Sequence, residues 1–493
     1  MSEIRVTHTG LINLATGIAR VVLSSIFILI ITRSLSPEVY GQYNIILSML
    51  AYLVASHWII SYWITRDVSR GLDSGKTAIV SSSIISSFGL LIFLIVGIFL
   101  HESLSLNFNI IILSSLIIPL QFIHNILTAL CVGWKPHLSS YGNLAVDTVK
   151  IILITYFVFQ SQLDLEQILF SLIASFLFSC SFLIFVTREK LKVSFSKSIF
   201  KNWLSRFWIP SYIPINSLII SLDLIIIGIF ESPDVVGYYS AGLVIANFVS
   251  YSKLVTIGVY PKLIAKERGL YVNENFRLLL YFMILFTTIC IGFTKPGLFV
   301  LNPIYQIISA SVIFLTLRVF LFIIFDNFDL ILRGTEQIDE NQNARFKDFL
   351  KSKLFKLPSI KMIQYSIYVI SLSLLIFIVD FKSISDLIFS WALLSFLIQI
   401  PATLILYAMI KKENILKIDF IPILKYLTLS VIMISLIHHF NSNYLEYSDD
   451  LLEMTSTILV LIVSSALIYF GATYLIDKNT RKLFKSIVKN FSK

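Results

Sequence analysis

Charged residues are scarce in this chain. Only 14% of its 493 residues are Asp, Glu, Lys or Arg, whereas 57% are hydrophobic and the mean hydropathy is +0.85. Because ordinary soluble domains carry roughly 25% charged residues, the composition excludes such a domain. The chain is therefore expected to be an integral membrane protein.

Cysteine is also rare, and the three cysteines are Cys131, Cys180 and Cys290. All three fall inside long apolar runs, so they can form neither a disulfide framework nor a metal cluster, and we interpret them as core residues. The sequence has no Walker loop, no spacing typical of metal ligands and no nucleophile motif. It therefore predicts no cofactor, no metal site and no catalytic residue.

Long apolar runs follow one another along the whole chain, and fourteen of them are predicted spans. Runs of about 17 to 25 apolar residues have the length of a membrane-spanning helix. The first run lacks a small-residue cleavage site, so we expect a retained helix and not a signal peptide. The predicted spans are 11–31, 43–62, 78–100, 110–132, 144–160, 168–186, 209–230, 239–257, 276–293, 305–332, 362–379, 387–410, 424–438 and 454–475.

Lysine and arginine are distributed unevenly between alternate connections. With a cytoplasmic N-terminus, 30 of the 39 basic residues fall in inside segments and only Arg33, Lys295 and Lys382 in outside segments. This asymmetry predicts an even number of spans in the cell (plasma or inner) membrane, with both termini cytoplasmic. Topology and anionic lipid headgroups then explain the net charge of +10, and no nucleic acid is predicted as a partner.

One short motif occurs twice, 196 residues apart. Residues 35–44 read LSPEVYGQYN and residues 231–240 read ESPDVVGYYS, with five of ten positions identical. Each copy follows one apolar run and leads into another. In a membrane protein, a duplicated half is typical of a transporter that rocks one helix bundle against another around a central site. Since both halves begin with an inside-to-outside span, the repeats are predicted to be parallel.

The repeat predicts an all-α integral membrane protein of about fourteen transmembrane helices, with two parallel-repeat six-helix bundles and two additional C-terminal helices. The inside loop 333–361 carries an amphipathic segment, in which apolar residues alternate with basic ones at helical spacing. That segment is predicted to lie in the membrane interface, either as a connector or as a docking site for a partner. Its apolar residues are Phe346, Phe349, Leu350, Leu354 and Leu357. The four predicted parts are an N-terminal lobe 1–186, a basic cytoplasmic linker 187–208, a C-terminal lobe 209–410, and two extra helices with a basic tail, 411–493.

The pattern R-x-L-S-P-E-x-Y-G-x-Y, which starts at Arg33, resembles the N-terminal signature of polysaccharide-biosynthesis membrane proteins. These are the oligosaccharide-lipid flippases, of the O-antigen or repeat-unit translocase type, in the multidrug/oligosaccharidyl-lipid/polysaccharide exporter superfamily. The second copy, with Gly237 and Tyr239, is similar to the family's mid-chain element. The resemblance implies two lobes around a cavity that opens alternately to each side. It also implies a lipid-linked oligosaccharide as substrate, with membrane lipids and a glycan polymerase or transferase as partners.

Four charged residues lie well inside predicted spans and are the candidates for substrate binding. A charge near the middle of a span costs about 2.5 to 3.5 kcal/mol on insertion, so it needs a partner, a water-filled cavity or a substrate. Arginine offers a planar fork of donors that matches phosphate oxygens, which favours a polyprenyl (di)phosphate as ligand. The alternative is a structural bridge in which Asp223 neutralises one of these buried arginines, Arg20 or Arg318. The candidates are Arg20, Arg318, Asp223 and Lys253.

Four further charged residues are weaker candidates. Asp329 lies eleven positions after Arg318, about 20° away around a helix, and Asp326 lies about 80° away, so the three form a polar stripe. Asp147 and Lys150 are three positions apart and are predicted to pair with each other.

Two other function classes compete with the flippase. A multidrug antiporter of the same superfamily relies on acidic residues for cation coupling, whereas the mid-span arginines here favour an anionic cargo. A membrane glycosyltransferase or polymerase needs outside carboxylates for acid and base catalysis. The outside loop 441–453 carries four carboxylates but has little room for such a site, so we predict that the chain is not an enzyme.

Overall fold

The computed structural model describes residues 6–104, 106–160, 163–207, 212, 215–256, 270–336, 350–416, 419–448, 450–478 and 480–481. These residues form helices and short connections, with no β-strand among them. The chain divides into two compact units, residues 1–237 and 238–493. The lobe and linker boundaries drawn from the sequence stay predictions.

In the described part of the N-terminal unit, eight α-helices precede the seventh predicted span. Helix α2 begins at Pro37, and the Ser36 side chain caps it by accepting a hydrogen bond from the Val39 amide. Helix α7 begins with a capping box between Asp164 and Gln167. The helices are α1 (Val6–Ser34), α2 (Pro37–Val54), α3 (Trp58–Ser69), α4 (Gly75–Leu104), α5 (Phe108–Trp134), α6 (Pro136–Phe159), α7 (Leu165–Thr187) and α8 (Lys197–Ser205).

Two more helices follow, and the second of them crosses the division between the units. These are α9 (Ile215–Phe230) and α10 (Pro233–Ala246), and a 3₁₀ helix, Asn247–Thr256, continues from α10. Among the described residues, α9 has 16 residues and α10 has 14, so both are shorter than a typical span. They correspond to the seventh and eighth predicted spans.

The described part of the basic linker, residues 187–207, is docked on the N-terminal unit. Trp203 of α8 is buried in a cluster with Ile60 and Ile64 of α3, and its indole Nε1 donates to Asp67 Oδ2 at 3.0 Å. Lys190 forms an ion pair with Asp73 at 2.7 Å. The apolar face of α8 and these polar contacts tie the segment to the ends of α3 and α4.

The C-terminal unit is built around α13, which packs along α15, and α11, which packs along α16. Tyr281 of α11 lies in a buried cluster with Tyr426 of α16 and Tyr469 of α17. The two C-terminal helices are therefore part of the core of this unit. Its helices are α11 (Leu270–Gly292), α12 (Thr294–Leu301), α13 (Ser309–Gly334), α14 (Lys353–Ile378), α15 (Ile384–Glu413), α16 (Phe420–Asn443) and α17 (Leu451–Ile476).

Twelve helices in the described residues are long and apolar enough to cross a membrane. They match the predicted spans other than the seventh and eighth, so the chain is a multi-pass membrane protein of all-helical fold. The three cysteines are buried free thiols, as predicted.

The amphipathic segment differs from its prediction. Leu354 and Leu357 lie in the first turns of α14, and Leu357 is fully buried. These two residues therefore begin a spanning helix and do not belong to a separate interface helix. Phe346 and Phe349 lie outside the described residues.

Candidate substrate-binding site

Asp147 joins two cations inside the N-terminal unit. Its carboxylate accepts a hydrogen bond from Arg20 Nε at 2.8 Å and another from Lys150 Nζ at 3.2 Å. The contact joins α1 to α6, which run side by side. The pairing predicted for Asp147 and Lys150 is confirmed. Arg20, however, pairs with Asp147, so the alternative of a bridge to Asp223 is wrong for Arg20.

The N-terminal ion cluster, defined as Arg20, Asp147 and Lys150, carries two positive charges and one negative charge. The Asp147 side chain is 8% exposed, whereas the Arg20 side chain is 42% exposed. A carboxylate shared between two cations cannot neutralise both of them. Arg20 is therefore a partly exposed cation on a helix that is long and apolar enough to cross a membrane.

An aromatic contact links this cluster to the first motif copy. Lys150 Nζ lies 4.2 Å from the ring centroid of Phe27, within the range of a cation–π interaction. The Phe27 ring in turn packs against Tyr43 of the motif, at 6.4 Å between centroids. The motif therefore supports the cluster through packed rings, without contributing a charge to it.

The C-terminal unit holds a second and larger ion cluster. The Asp326 carboxylate accepts hydrogen bonds from Lys253 Nζ at 2.8 Å and from Lys361 Nζ at 3.3 Å. The Asp329 carboxylate accepts one from Lys361 Nζ at 3.4 Å. It also pairs with Arg333 through Nε at 3.0 Å and Nη2 at 2.6 Å. The C-terminal ion cluster, defined by these five residues, has three cations and two carboxylates, so it too has a net positive charge.

Sequence reasoning missed two members of this cluster. Arg333 lies four positions after Asp329 on the same helix, a spacing that could have identified it. Lys361 had no such signal, because it reaches Asp326 from α14, 35 positions along the chain. The predicted candidates Lys253, Asp326 and Asp329 are brought together by these two cations.

Arg318 lies beside a buried group of aromatic side chains in the C-terminal unit. Its Nη1 donates to the Tyr239 hydroxyl at 2.7 Å, and its guanidinium carbon lies 5.6 Å from the Tyr368 ring centroid. Tyr239 stacks on Trp391 at 3.5 Å between centroids and 2° between planes, and Trp391 Nε1 donates to the Tyr368 hydroxyl at 2.7 Å. Both Tyr239 and Trp391 are fully buried. The sequence pattern indicated none of these aromatic partners for Arg318.

Asp223 lies on α9 and is buried, with 5% of its surface exposed. Its Oδ1 accepts a hydrogen bond from the Leu224 amide at 2.7 Å. The structure does not bring Asp223 to Arg20, and its role in substrate binding stays a prediction.

In each ion cluster the cations outnumber the carboxylates by one. In the described part of the chain, no group of three or more His, Cys, Asp or Glu side chains is placed to hold a metal ion. Lysine and arginine in excess over carboxylates favour phosphate or carboxylate ligands. The Lys253 side chain is 34% exposed, against 19% for Arg333 and 13% for Lys361, so Lys253 is the most exposed cation of the C-terminal ion cluster.

No protein-family model and no curated protein matches this sequence. Solved structures do match it. The lipid II flippase MurJ in an inward closed conformation is 17% identical with a TM-score of 0.62, and the match covers 95% of this chain and 100% of that chain. An inward-facing multidrug resistance MATE family transporter of the MOP superfamily is 11% identical with a TM-score of 0.58, and the match covers 82% of this chain and 98% of that chain. This chain therefore has the helical fold of the MOP-type transporters.

Proposed function

We propose that this protein is an alternating-access flippase that moves a polyprenyl-(di)phosphate-linked oligosaccharide from the cytoplasmic to the outer leaflet of the cell membrane. In this proposal both termini are cytoplasmic, and the exported unit serves polysaccharide or glycan assembly. The observation that carries the proposal is the excess of positive over negative charge in each of the two ion clusters. Glycan polymerases or transferases are the expected protein partners.

The physical argument concerns the phosphate of such a lipid. A phosphate cannot cross hydrocarbon without solvation or compensating charge, because burying an unpaired charge is very costly. Arg20 and Lys253 are the partly exposed cations of their clusters and would meet the phosphate, while Asp147 and Asp326 hold them in place between transport events. The Arg318 guanidinium would donate further hydrogen bonds to the phosphate. Asp223 would add a local negative charge that keeps the phosphate from binding too tightly to be released.

The breadth of the structural match also supports a flippase. The lipid II flippase covers 95% of this chain, whereas the MATE transporter covers 82%. A multidrug antiporter of the same fold is the second candidate, since the MATE match has a TM-score of 0.58. In that candidate Asp326 and Asp329 would titrate during cation coupling, and the substrate would be a lipophilic cation. Both neighbours are transport proteins by name, which supports the prediction that the chain is not an enzyme.

Reconstituted transport tests the proposal. Purified protein in liposomes would be given a fluorescent polyprenyl-diphosphate oligosaccharide, and a membrane-impermeant quencher would report how much reaches the opposite leaflet. We expect Arg20→Ala and Arg318→Ala to lower the rate at least about tenfold, and Arg→Lys to restore part of it, because a point charge remains without the bidentate fork. Arg70→Ala is the matched control, since Arg70 is an exposed residue just beyond α3.

Three outcomes separate the candidates. Loss of flipping with unchanged melting temperature supports the flippase. Normal flipping by both alanine variants overturns the cationic site, and an equal loss of melting temperature and rate assigns the arginines a structural role. Proton-driven uptake of a lipophilic cation dye, abolished by Asp326→Asn, would instead identify an antiporter.

A further inference from the structure

The C-terminal unit contains a cavity of about 600 Å³ that the proposed transport site does not use. It is bounded by the ends of α11 and α16, by α12 and by the start of α13. A volume of this size is typical of pockets for small ligands. Among the side chains that line it are Lys295, Gln306, Ser309, His438, Ser442 and Tyr447.

The cavity is well separated from the C-terminal ion cluster. Ser309 begins α13 and lines the cavity, whereas Asp326 lies 17 positions later on the same helix. At 1.5 Å per residue, this spacing is about 25 Å along the helix axis, most of the thickness of a bilayer core. The cavity therefore lies near the opposite end of the helices, which is the outer end in the predicted topology.

The cavity wall is held in place by close contacts between α11 and α16. A Cβ at Gly292 would lie 3.0 Å from an Ile437 side-chain carbon, so glycine permits α16 to approach. Asn441 Nδ2 donates to the Gly292 carbonyl at 3.0 Å. On the next side, Tyr447 packs against Phe299 at 4.8 Å between ring centroids. Burial raises the pKa of the Tyr447 phenol, so this side chain is a neutral hydrogen-bond donor.

The lining has the chemistry of a site for a negatively charged, hydroxylated ligand. Lys295 supplies a positive charge in the first turn of α12, and no side chain caps that helix. A helix N-terminus adds to the positive potential. None of the described residues that line the cavity is Asp or Glu. The remaining polar residues, Gln306 and Ser309 among them, offer neutral donors and acceptors suited to hydroxyl groups.

We propose that this cavity binds a phosphate ester that carries hydroxyl groups, with Lys295 contacting the phosphate and Gln306 and Ser309 contacting the hydroxyls. The same chemistry occurs in the headgroup of phosphatidylglycerol and in a water-soluble glycerol or sugar phosphate. The site is distinct from the transport clusters, so it does not depend on the proposed function. His438 provides a further ring nitrogen in the lining of the cavity.

Calorimetric titration of the full-length protein in phosphatidylcholine nanodiscs tests this site. Glycerol 3-phosphate is the probe, and glycerol is the uncharged control ligand. We expect saturable binding of glycerol 3-phosphate, weakened at least about tenfold by Lys295→Gln because a charge-assisted contact is lost. Ala310→Leu, which fills the cavity, should weaken binding similarly. Lys382→Gln is the matched control, since Lys382 is an exposed lysine of another connection predicted to be outside.

The same titration in nanodiscs that contain phosphatidylglycerol identifies the source of the ligand. If this lipid abolishes the binding of glycerol 3-phosphate to the unmodified protein, the lipid headgroup occupies the cavity. If binding is unchanged, the site takes a soluble phosphate ester. Equal affinities of Lys295→Gln and Lys382→Gln, or the lack of saturable binding, would overturn the proposal.

Discussion

Gly41 and Gly237 occupy matching positions in the two motif copies, and each lies against the first residue of the other copy's helix. A Cβ on Gly41 would overlap the carbonyl oxygen of Pro233, and a Cβ on Gly237 would overlap that of Pro37. The backbones approach this closely because both positions lack a side chain. The repeated glycine therefore serves a reciprocal contact between the starts of α2 and α10.

This contact predicts that alanine at either glycine destabilises the protein. Gly41→Ala and Gly237→Ala force a backbone shift, and we expect each to cost about 1 to 3 kcal/mol, as for other overpacked positions. The double variant should lose less stability than the two single variants added together, because one separation of the helices relieves both clashes. Thermal unfolding of the purified protein measures the effect.

Two other glycines provide controls for that experiment. A Cβ added at Gly17 or Gly471 would have no neighbouring atom within 4 Å, so alanine there is expected to be neutral or stabilising in a helix. A melting temperature for Gly41→Ala as high as that for Gly17→Ala would contradict the close approach.

The shared carboxylate of Asp147 predicts an unequal response of its partners. Asp147→Asn leaves two cations without a carboxylate. We expect it to lower the free energy of unfolding by about 2 to 4 kcal/mol, near the range for breaking a buried ion pair. Arg20→Gln should cost less, because Lys150 still pairs with Asp147 and Arg20 is 42% exposed. Thermal unfolding of the single and double variants measures the coupling between them.

Asp73→Asn is the matched control for Asp147→Asn, since Asp73 pairs with Lys190 but is 44% exposed. A surface pair of this kind contributes about 0 to 1 kcal/mol. If Asp147→Asn is no more destabilising than Asp73→Asn, Asp147 does not hold the cluster together.

The docking of α8 through Trp203 predicts graded effects of substitution. Trp203→Phe keeps most of the buried ring but removes the indole donor to Asp67. We expect it to lower the free energy of unfolding by about 1.5 to 3 kcal/mol. Trp203→Ala also leaves a cavity and should cost about 3 to 5 kcal/mol. The rate of tryptic cleavage after Lys201 and Arg206 measures the release of this segment. The exposed Trp58 provides the control, and equal cleavage of Trp58→Phe and Trp203→Phe would refute the docking.

The predicted topology is tested with single cysteines and an impermeant thiol reagent on intact cells. Cysteine at Gln160 or Asn443 should react from outside, and cysteine at Ser194 or Lys412 should react only after permeabilisation. All four positions are exposed, and the native cysteines are buried, so background labelling should be low. Reversed labelling at two of the four sites would reject the orientation.

Some features of the fold were predictable because they are local. A span needs only a run of apolar side chains of sufficient length, and twelve predicted runs form such helices. The start of α14 was not predictable in this way. The apolar positions Leu354 and Leu357 fit both an interface helix and the first turns of a spanning helix, and contacts with other helices decide between them.

Twelve of the spans and the repeated motif could be read from the sequence. The pair between Asp147 and Lys150 could be read from it too, because helix geometry brings positions three apart together. Tertiary structure alone decided the partners of the isolated cations. Arg20 meets Asp147 across 127 positions, and Arg318 meets Tyr239 across 79. A buried charge takes whichever partner the neighbouring helix presents at the same depth, and that neighbour is chosen by side-chain packing over the whole unit.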